Sequence, residues 1–228
     1  MNSVSILTVQ RLPGYLHYLK GLSAQNVPTV SATVIAEALG LNDVQVRTDL
    51  ASVSKGGRPK VGYITTELIH DIELFLGYHN TNRAILVGVG NLGRALMSYE
   101  GFAQYGLHIE AGFDLAPDLV GKEVAGKPIL PLSEMAAFCK EKNIRMAILT
   151  VPAAVAQEVC EQLLSCGILA IWSFASAHLQ VPAGVLVRYE NMATSLALLS
   201  NHLAESLNAD GNVASSNVAS SNVASSNA

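Results

Sequence analysis

The first 80 residues of the chain place apolar side chains at helical spacing between glycines. The spacing predicts a first helix over about residues 8–20, which we expect to end at Gly21. Ser31 is placed to cap a second helix, and Gly40 stands just beyond that helix. A third helix follows after a break of one or two residues, so this segment predicts a helix-turn-helix.

The third predicted helix has two unlike faces. Asn42 is placed to cap it, and Val46, Leu50 and Val53 form an apolar stripe that we expect to pack on the first two helices. Small and polar side chains with one arginine are typical of a recognition helix in the major groove of DNA, with an ordinary surface helix as the alternative. The side chains that point away from the stripe are Val44, Thr48, Ala51 and Lys55, flanked by Gln45 and Arg47.

Residues 55–63 combine glycines, a proline and cations. Glycine and proline predict a turn, and three cations within six residues make that turn basic. After a helix-turn-helix this indicates a wing that reaches the DNA backbone or minor groove, with a solvated basic loop as the alternative. An amphipathic helix from Thr66 to Leu76 then leads to a domain boundary near residue 80. The cations of the wing are Lys55, Arg58 and Lys60.

An apolar strand runs directly into a glycine-rich turn, Ile-Leu-Val-Gly-Val-Gly-Asn-Leu-Gly, at residues 85–93. In a Rossmann fold, the first glycine makes the sharp turn, the second lets the backbone approach a pyrophosphate, and the third lets helix and strand pack closely. A second strand ends on Asp114, about 20 residues past the last glycine, where a carboxylate binds the ribose hydroxyls. An acid there disfavours a 2′-phosphate, so we expect NAD(H), with a ligand-free glycine turn as the alternative.

From Arg83 onwards, strand-like and helical runs alternate, which predicts a parallel sheet with crossover helices. The last helix, residues 193–207, is apolar over much of its surface, which favours burial against a second subunit. The final residues contain three copies of Val-Ala-Ser-Ser-Asn, which lack the bulk to form a core, so we expect disorder there. We therefore expect a winged-helix DNA-binding domain over 1–80, a Rossmann domain for NAD(H) binding and dimerisation over 81–207, and a low-complexity tail over 208–228.

Charge is distributed unevenly along the chain, whose net charge is −4. Residues 1–62 carry six Lys and Arg against three Asp and Glu, a net charge of +3, and the remaining residues carry eight against fifteen, a net charge of −7. This asymmetry fits a nucleic-acid-binding head on a body that repels phosphates.

The three cysteines, Cys139, Cys160 and Cys166, form no C-x-x-C pair, and we expect reduced thiols in a cytoplasmic protein rather than a zinc site or a disulfide. No apolar run of about 18 residues predicts a membrane span, and the N-terminus is unlike a signal peptide. We therefore expect no membrane partner and no metal.

A dehydrogenase is the main alternative to a regulator, and it would require a proton donor near the hydride. No two of the histidines His108, His178 and His202 have the spacing of a catalytic pair, and Tyr99 is the one plausible acid. The domain that precedes the predicted Rossmann domain is the basic head, not a second catalytic domain. We therefore expect no enzymatic activity. A DNA-binding regulator that responds to another nucleotide is the remaining alternative.

Taken together, these features resemble the Rex family of redox-sensing transcriptional repressors over about residues 5–205. Two independent motif sets occur in the right order, which makes the resemblance specific. Its stretches are Arg11-Leu12-Pro13, Tyr15-Leu16, Gln45-Val46-Arg47, Asp49-Leu50, Val61-Gly62-Tyr63, the glycine turn with Arg94-Ala95-Leu96, Tyr99, Gly101-Phe102, Phe113-Asp114 and Leu149-Thr150-Val151-Pro152.

The resemblance implies an α/β homodimer with a winged helix-turn-helix head and a Rossmann body, whose C-terminal helix is exchanged with the partner subunit. It implies a repressor of fermentation or respiration genes that binds palindromic operator DNA with NAD+ and is released by NADH. The residues implied for DNA are Gln45, Arg47, Arg58 and Lys60, to which the pattern adds Thr48 and Lys55. The residues implied for the dinucleotide are Gly88, Val89, Gly90, Asn91, Leu92 and Gly93 at the pyrophosphate, Asp114 at the ribose, and Tyr99, Thr150, Val151 and Pro152 on the nicotinamide side.

The chain departs from the family pattern at several positions. Thr48 stands where the family usually has lysine, and Ser-Phe-Ala-Ser at 173–176 replaces the usual Asn-Phe-Ala-Pro near the nicotinamide. His17 and Asn191 stand where the family often has arginine and aspartate. We therefore expect a shifted operator preference and an altered nicotinamide pocket.

Overall fold

The computed structural model describes residues 4–80, 82–205 and 207. They fall into two compact units, of which the first runs through Arg83 and includes residues 98–109, while the second holds residues 84–97 and continues from Glu110. The segment after the glycine-turn helix therefore groups with the N-terminal part of the chain.

The first unit consists of helices and a two-stranded antiparallel sheet. Gly40 ends the second helix in the left-handed conformation with a φ of 63°, and Asn42 then caps the third helix by accepting from the backbone N–H groups of Val44 and Gln45. The predicted helix-turn-helix and its caps are thus confirmed. The elements are α1 (Ile6–Ala24), β1 (Thr29–Val30), α2 (Ala32–Leu39), α3 (Asp43–Val53), β2 (Tyr63–Ile64) and α4 (Thr65–Leu76).

Helix α1 is longer than predicted and passes through Gly21, so the expected end at that residue is wrong. A glycine in a helix interior costs about 1 kcal/mol relative to alanine. Leu22, one residue later, packs on the core of the unit, and α1 packs along α4. The packing of this last turn outweighs the local preference of glycine, and the helix ends at Ala24.

The second unit contains most of a seven-stranded sheet in the order β5-β6-β4-β3-β7-β8-β9. The pairs β4–β6, β3–β7, β7–β8 and β8–β9 are parallel, and the short edge strand β5 runs antiparallel to β6. The elements are β3 (Asn82–Val87), α5 (Asn91–Ser98), β4 (Leu107–Asp114), β5 (Glu123–Val124), β6 (Lys127–Pro131), α6 (Met135–Lys142), β7 (Met146–Leu149), α7 (Ala156–Ser165), β8 (Ala170–Ser173), β9 (Leu186–Tyr189) and α8 (residues 192–205).

This order has a reversal between β3 and β7, because the chain leaves β3 towards β4 on one side and returns to β7 on the other. In open α/β sheets, ligands bind in the crevice outside the carboxyl ends of the strands at such a reversal. The predicted Rossmann sheet is therefore confirmed. Ser133 lies in a 3₁₀ turn, and α6 begins after it at Met135.

Helix α8 leaves its apolar side chains exposed among the residues that the structure describes. Met192, Leu196, Leu199 and Leu203 are each more than half exposed, although they form a stripe at intervals of three and four residues. Asn191 caps the helix, since its Oδ1 accepts from the backbone N–H groups at 193 and 194. Within the described part of one subunit the stripe is exposed, and its expected burial against a second subunit stays a prediction.

Candidate functional sites

The first glycine of the turn is required by the fold itself. Gly88 follows β3 with a φ of +97°, a conformation that side-chain-bearing residues rarely adopt. A Cβ added there would lie 2.9 Å from the carbonyl carbon and oxygen of Thr150. The turn is therefore packed directly against the segment that follows β7.

The second and third glycines differ in what surrounds them. A Cβ on Gly93 would collide with the carbonyl oxygen of Gly88, so the third glycine permits α5 to pack on the turn. A Cβ on Gly90 would meet nothing within 4 Å. Because no atom of the described residues requires Gly90 to lack a side chain, its position leaves the backbone open to a ligand at the start of α5.

Asp114, at the end of β4, is held against the glycine turn. Its Oδ2 accepts from the backbone N–H of Val89 at 2.6 Å, and its Oδ1 accepts from that of Ala116 at 2.9 Å. Each carboxylate oxygen has a further lone pair, so the fixed group can still accept hydrogen bonds from ribose hydroxyls. The acid predicted to bind ribose thus stands beside the turn predicted to bind pyrophosphate.

Thr150 joins the loop after β7 to the loop after β3. Its hydroxyl donates to the carbonyl oxygen of Gly88 at 2.7 Å, with a second contact to that of Val87 at 3.1 Å. A Cβ added to Gly88 would also lie 2.9 Å from Cγ1 of Val151, so Val151 lies close to the glycine turn as well. These contacts bring residues 150–152 to the same sheet edge as the glycine turn.

The helix that follows the turn presents its N-terminus at that edge. Helix α5 begins at Asn91, whose Oδ1 accepts from Nη2 of Arg94 at 2.8 Å. Leu92 is half-buried, and Val89 is fully buried with its backbone N–H turned to Asp114. Free N–H groups at a helix start, with the positive end of its dipole, bind phosphates. A dinucleotide pyrophosphate fits these residues.

Tyr99 belongs to the first unit, whereas the glycine turn belongs to the second. Its ring is half-exposed and packs edge-on against Phe102, with centroids 4.9 Å apart. Gly101 leaves space for that ring, because a Cβ there would overlap it. The Tyr-x-Gly-Phe pattern noted in the sequence is therefore one local packing arrangement.

The exposed face of α3 carries the predicted DNA-facing residues. Arg47 is exposed, and its Nη2 donates to Oδ2 of Asp43 at 2.6 Å, while Oδ1 of Asp43 accepts from Thr33 at 2.9 Å. The hydroxyl of Thr48 donates to the backbone carbonyl of Val44 at 2.8 Å. Sequence reasoning missed Asp43, although its spacing of four residues from Arg47 was a signal for this pair.

The inner face of α3 is held by a buried carboxylate that sequence reasoning also missed. Asp49, 3% exposed, accepts hydrogen bonds from Arg11, Tyr15 and Thr8 on α1. Burial alone would raise the pKa of Asp49, but these hydrogen bonds outweigh burial and hold that pKa below its usual value. Burial, followed by the bond to Asp49, raises the pKa of Tyr15 to about 12.

Gln45, predicted to face DNA, is exposed but lies beside this network. When the Gln45 amide is oriented so that its oxygen faces donors and its nitrogen faces acceptors, Oε1 of Gln45 accepts from Nη1 of Arg11 at 3.0 Å. The structure thus separates Gln45, which contacts α1, from Arg47, which contacts the start of its own helix.

The predicted wing is a short hairpin. The backbone N–H of Arg58 donates to the carbonyl of Gly62 at 2.8 Å, and the N–H of Gly62 donates back at 2.9 Å, with Lys60 at the tip. A groove of about 470 Å³ separates the hairpin from the helices. The side chains of Lys55, Arg58 and Lys60 are exposed. The groove lining includes Ser31, Thr33, Arg47, Arg58, Pro59 and Lys60.

None of the helices in the described part of the chain has the length and apolar character needed to cross a bilayer. The same residues contain no group of three or more His, Cys, Asp or Glu side chains arranged to hold a metal ion.

Two family profiles match different parts of the chain. The profile described as "Putative DNA-binding protein N-terminus" matches residues 3–51, and the one described as "CoA binding domain" matches residues 79–177. The division between them follows the change from a helix-turn-helix to a parallel sheet.

Curated relatives match nearly the whole chain and are named "Redox-sensing transcriptional repressor Rex", not as enzymes. The relative from Treponema denticola is 41% identical over 192 residues, which is 84% of this chain and 91% of that protein. The relative from Porphyromonas gingivalis is 39% identical over 196 residues, which is 86% of this chain and 90% of that protein.

Solved structures of RSP, described as a Rex-family repressor, have the same fold. The complex of RSP with beta-NAD+ and operator DNA superposes with a TM-score of 0.85 and 29% identity, covering 94% of this chain and 99% of that chain. The complex with beta-NADH gives a TM-score of 0.83, with 92% and 99% covered.

Proposed function

The chain belongs to the Rex family of redox-sensing transcriptional repressors, and we propose that it represses transcription by binding palindromic operator DNA and is released when NADH replaces NAD+. The observation that carries this proposal is that the relatives match both units, so the helix-turn-helix and the glycine turn occur together as they do in named redox sensors. We further propose a cytoplasmic location, where operator DNA and the NADH pool are found together.

The glycine turn of the second unit is the proposed dinucleotide site. It is supported by the open approach at Gly90, by the carboxylate of Asp114 next to the turn, and by the α5 N-terminus. In this proposal, the redox state of the bound nicotinamide ring is the only signal that the ring provides. The proposed site residues are Gly88, Val89, Gly90, Asn91, Leu92, Gly93 and Asp114, with Tyr99, Thr150, Val151 and Pro152 towards the nicotinamide.

The winged-helix head, proposed as residues 1–80, is the DNA-binding module. Exposed cations on α3 and on the hairpin, and the net charge of +3 over residues 1–62, support binding to phosphates. The proposed DNA-binding residues are Gln45, Arg47, Thr48, Lys55, Arg58 and Lys60.

The second unit, proposed to extend to residue 207, also provides a surface for a homodimer. One face of its sheet carries an apolar groove of about 390 Å³. Helix α8 exposes an apolar stripe that no part of its own subunit covers among the described residues. We propose that α8 of each subunit packs in the groove of the other. The groove residues include Met146, Ala170, Trp172, Leu186, Arg188 and Glu190.

Release by NADH is proposed as a shift between two geometries of the dimer, one of which lets both heads enter successive major grooves. NADH must bind the other geometry more tightly, by about 1–3 kcal/mol, to produce a measurable response. Equal affinity for both geometries would change nothing, however tight the binding.

One titration tests the proposal directly. Fluorescence anisotropy follows binding of the full chain to its best duplex, selected from a random library, while the ratio of NADH to NAD+ is varied at constant total concentration. We expect the affinity for DNA to fall as NADH rises. A constant affinity from fully oxidised to fully reduced coenzyme would overturn the proposal.

The match to a "CoA binding domain" favours one alternative, a DNA-binding regulator that responds to another nucleotide. The same anisotropy titration with coenzyme A in place of NADH distinguishes the two. Release by coenzyme A, without release by NADH, would support the alternative.

A further inference from the structure

We propose that α3 reads thymine by its C5-methyl groups, through an apolar ridge formed by Val44, Thr48 and Ala51. The inference rests on the proposed function, because it requires α3 to lie in the major groove. It assigns base selectivity to three side chains that carry no charge, and it leaves affinity for phosphates to the cations around them.

The three residues share one solvent-facing side of the helix. They are spaced by four and three positions, which places them on neighbouring turns of a single face. Val44 is 66% exposed, and Thr48 and Ala51 are also exposed. The buried side chains of α3, Val46, Asp49 and Leu50, lie on the opposite side.

Thr48 contributes a methyl group to this ridge rather than a hydrogen-bond donor. Its hydroxyl donates to the backbone carbonyl of Val44 at 2.8 Å, which restricts the side-chain rotamer and occupies the only proton it could donate. Its Cγ2 methyl therefore joins the two methyl groups of Val44 on the exposed face.

The polar side chains beside the ridge are already engaged within the head. The guanidinium of Arg47 is paired with Asp43, whose other oxygen accepts from Thr33. Gln45 accepts from Arg11. A base edge must therefore compete with these partners for Arg47 and Gln45, whereas the methyl groups are available without any rearrangement.

The surroundings of the ridge determine what can cover it. Exposed cations at Lys55, Arg58 and Lys60 favour a polyanion. Within the major groove of a DNA duplex, the C5-methyl group of thymine is the apolar group that base edges present. An apolar ridge bordered by cations is thus complementary to a thymine-containing stretch of the groove.

The experiment replaces single thymines by deoxyuridine in the duplex selected from the random library, which removes one methyl group and keeps every hydrogen-bonding atom. We expect about fourfold weaker binding of the full chain for each contacted methyl group, the effect of losing one buried methyl. Deoxyuridine at positions that are not contacted serves as the internal control.

Three variants assign the effect to the ridge. Val44→Ala and Thr48→Ser remove protein methyl groups, so thymine and deoxyuridine duplexes should bind equally well at the affected position. Thr48→Val keeps the methyl group and replaces the hydroxyl with a second methyl, so the preference for thymine should persist.

The outcomes separate this inference from the proposed function. If no duplex is enriched by the wild-type chain, both are overturned. If a duplex is bound and released by NADH, but deoxyuridine weakens binding nowhere, the function stands and the ridge does not read methyl groups. A preference for thymine that is unchanged in both Val44→Ala and Thr48→Ser would also overturn the inference.

Discussion

Arg11 on α1 holds Asp49 on α3 through two hydrogen bonds, from Nε to Oδ2 at 2.7 Å and from Nη2 to Oδ1 at 2.9 Å. Tyr15 donates to the same carboxylate at 2.8 Å. Because these bonds connect two helices, they fix the rotation of α3 about its own axis. The outward direction of Arg47 and of the apolar ridge depends on that rotation.

Replacement of Asp49 by asparagine is expected to destabilise the first unit. Breaking a buried ion pair costs about 3–5 kcal/mol, and the partial exposure of Arg11 reduces this to about 2–4 kcal/mol. Urea unfolding followed by far-UV circular dichroism measures the loss, and hydrogen exchange in α1 and α3 localises it. The matched control is Asp43→Asn, whose exposed pair with Arg47 is worth about 0.3–0.5 kcal/mol. Equal losses in both variants would contradict the prediction.

The depressed pKa of Asp49 predicts how stability changes in acid. A carboxyl whose pKa is lower in the folded state stabilises above its unfolded value of about 3.9, and this contribution is lost as pH falls through the folded pKa. The difference in unfolding free energy between the wild type and Asp49→Asn should therefore be constant above about pH 5 and shrink below about pH 4. Urea titrations across this range measure it, and a difference unchanged down to pH 3 would refute the assignment.

The glycines of the turn should respond differently to substitution. Gly88→Ala introduces a Cβ at positive φ against the Thr150 carbonyl, so we expect the second unit to lose about 1–3 kcal/mol of stability. Gly90→Leu has open space around its Cβ, so thermal unfolding should be nearly unchanged while NADH binding is lost. Calorimetry measures both quantities. Retained NADH affinity in folded Gly90→Leu protein would show that the pyrophosphate lies elsewhere.

A charge in the apolar stripe of α8 should dissociate the proposed dimer. Leu199→Asp would place a carboxylate in an apolar groove, which costs several kcal/mol. Sedimentation velocity should show a shift from dimer to monomer. Asn201→Asp adds the same charge to the same helix outside the stripe and should leave the dimer intact, whereas equal dissociation by both would argue against packing of the stripe.

Loss of one cation on the recognition helix should affect DNA binding alone. We expect Arg47→Ala to weaken binding to the selected duplex by about tenfold or more and to reduce the slope of log affinity against log salt by about 1, because one phosphate contact is lost. NADH affinity should be unchanged. Arg145→Ala, at an exposed arginine of the second unit, is the control for a general loss of positive charge. Equal loss of DNA and NADH binding would contradict the assignment of the two units.

The sequence by itself determined the local elements and the chemistry of the glycine turn. The left-handed conformation of Gly40, the cap at Asn42, and the positions of Gly88 and Gly93 follow from short-range sterics and backbone hydrogen bonds. Such preferences act between residues that are close in sequence, so the pattern of residues along the chain is enough to predict them.

Only the tertiary structure decided which side chains meet across distant parts of the chain. Asp49 stands 38 positions from Arg11, and nothing in its neighbourhood along the chain indicates that it is buried and ion-paired. Gly21 was misjudged for the same reason, because packing beyond it outweighs its local preference. Whether α8 is buried likewise depends on which other elements of its subunit pack against it, and among the described residues its apolar stripe is left exposed. Burial and ion pairing are properties of the folded path of the chain, which brings together groups that no local pattern connects.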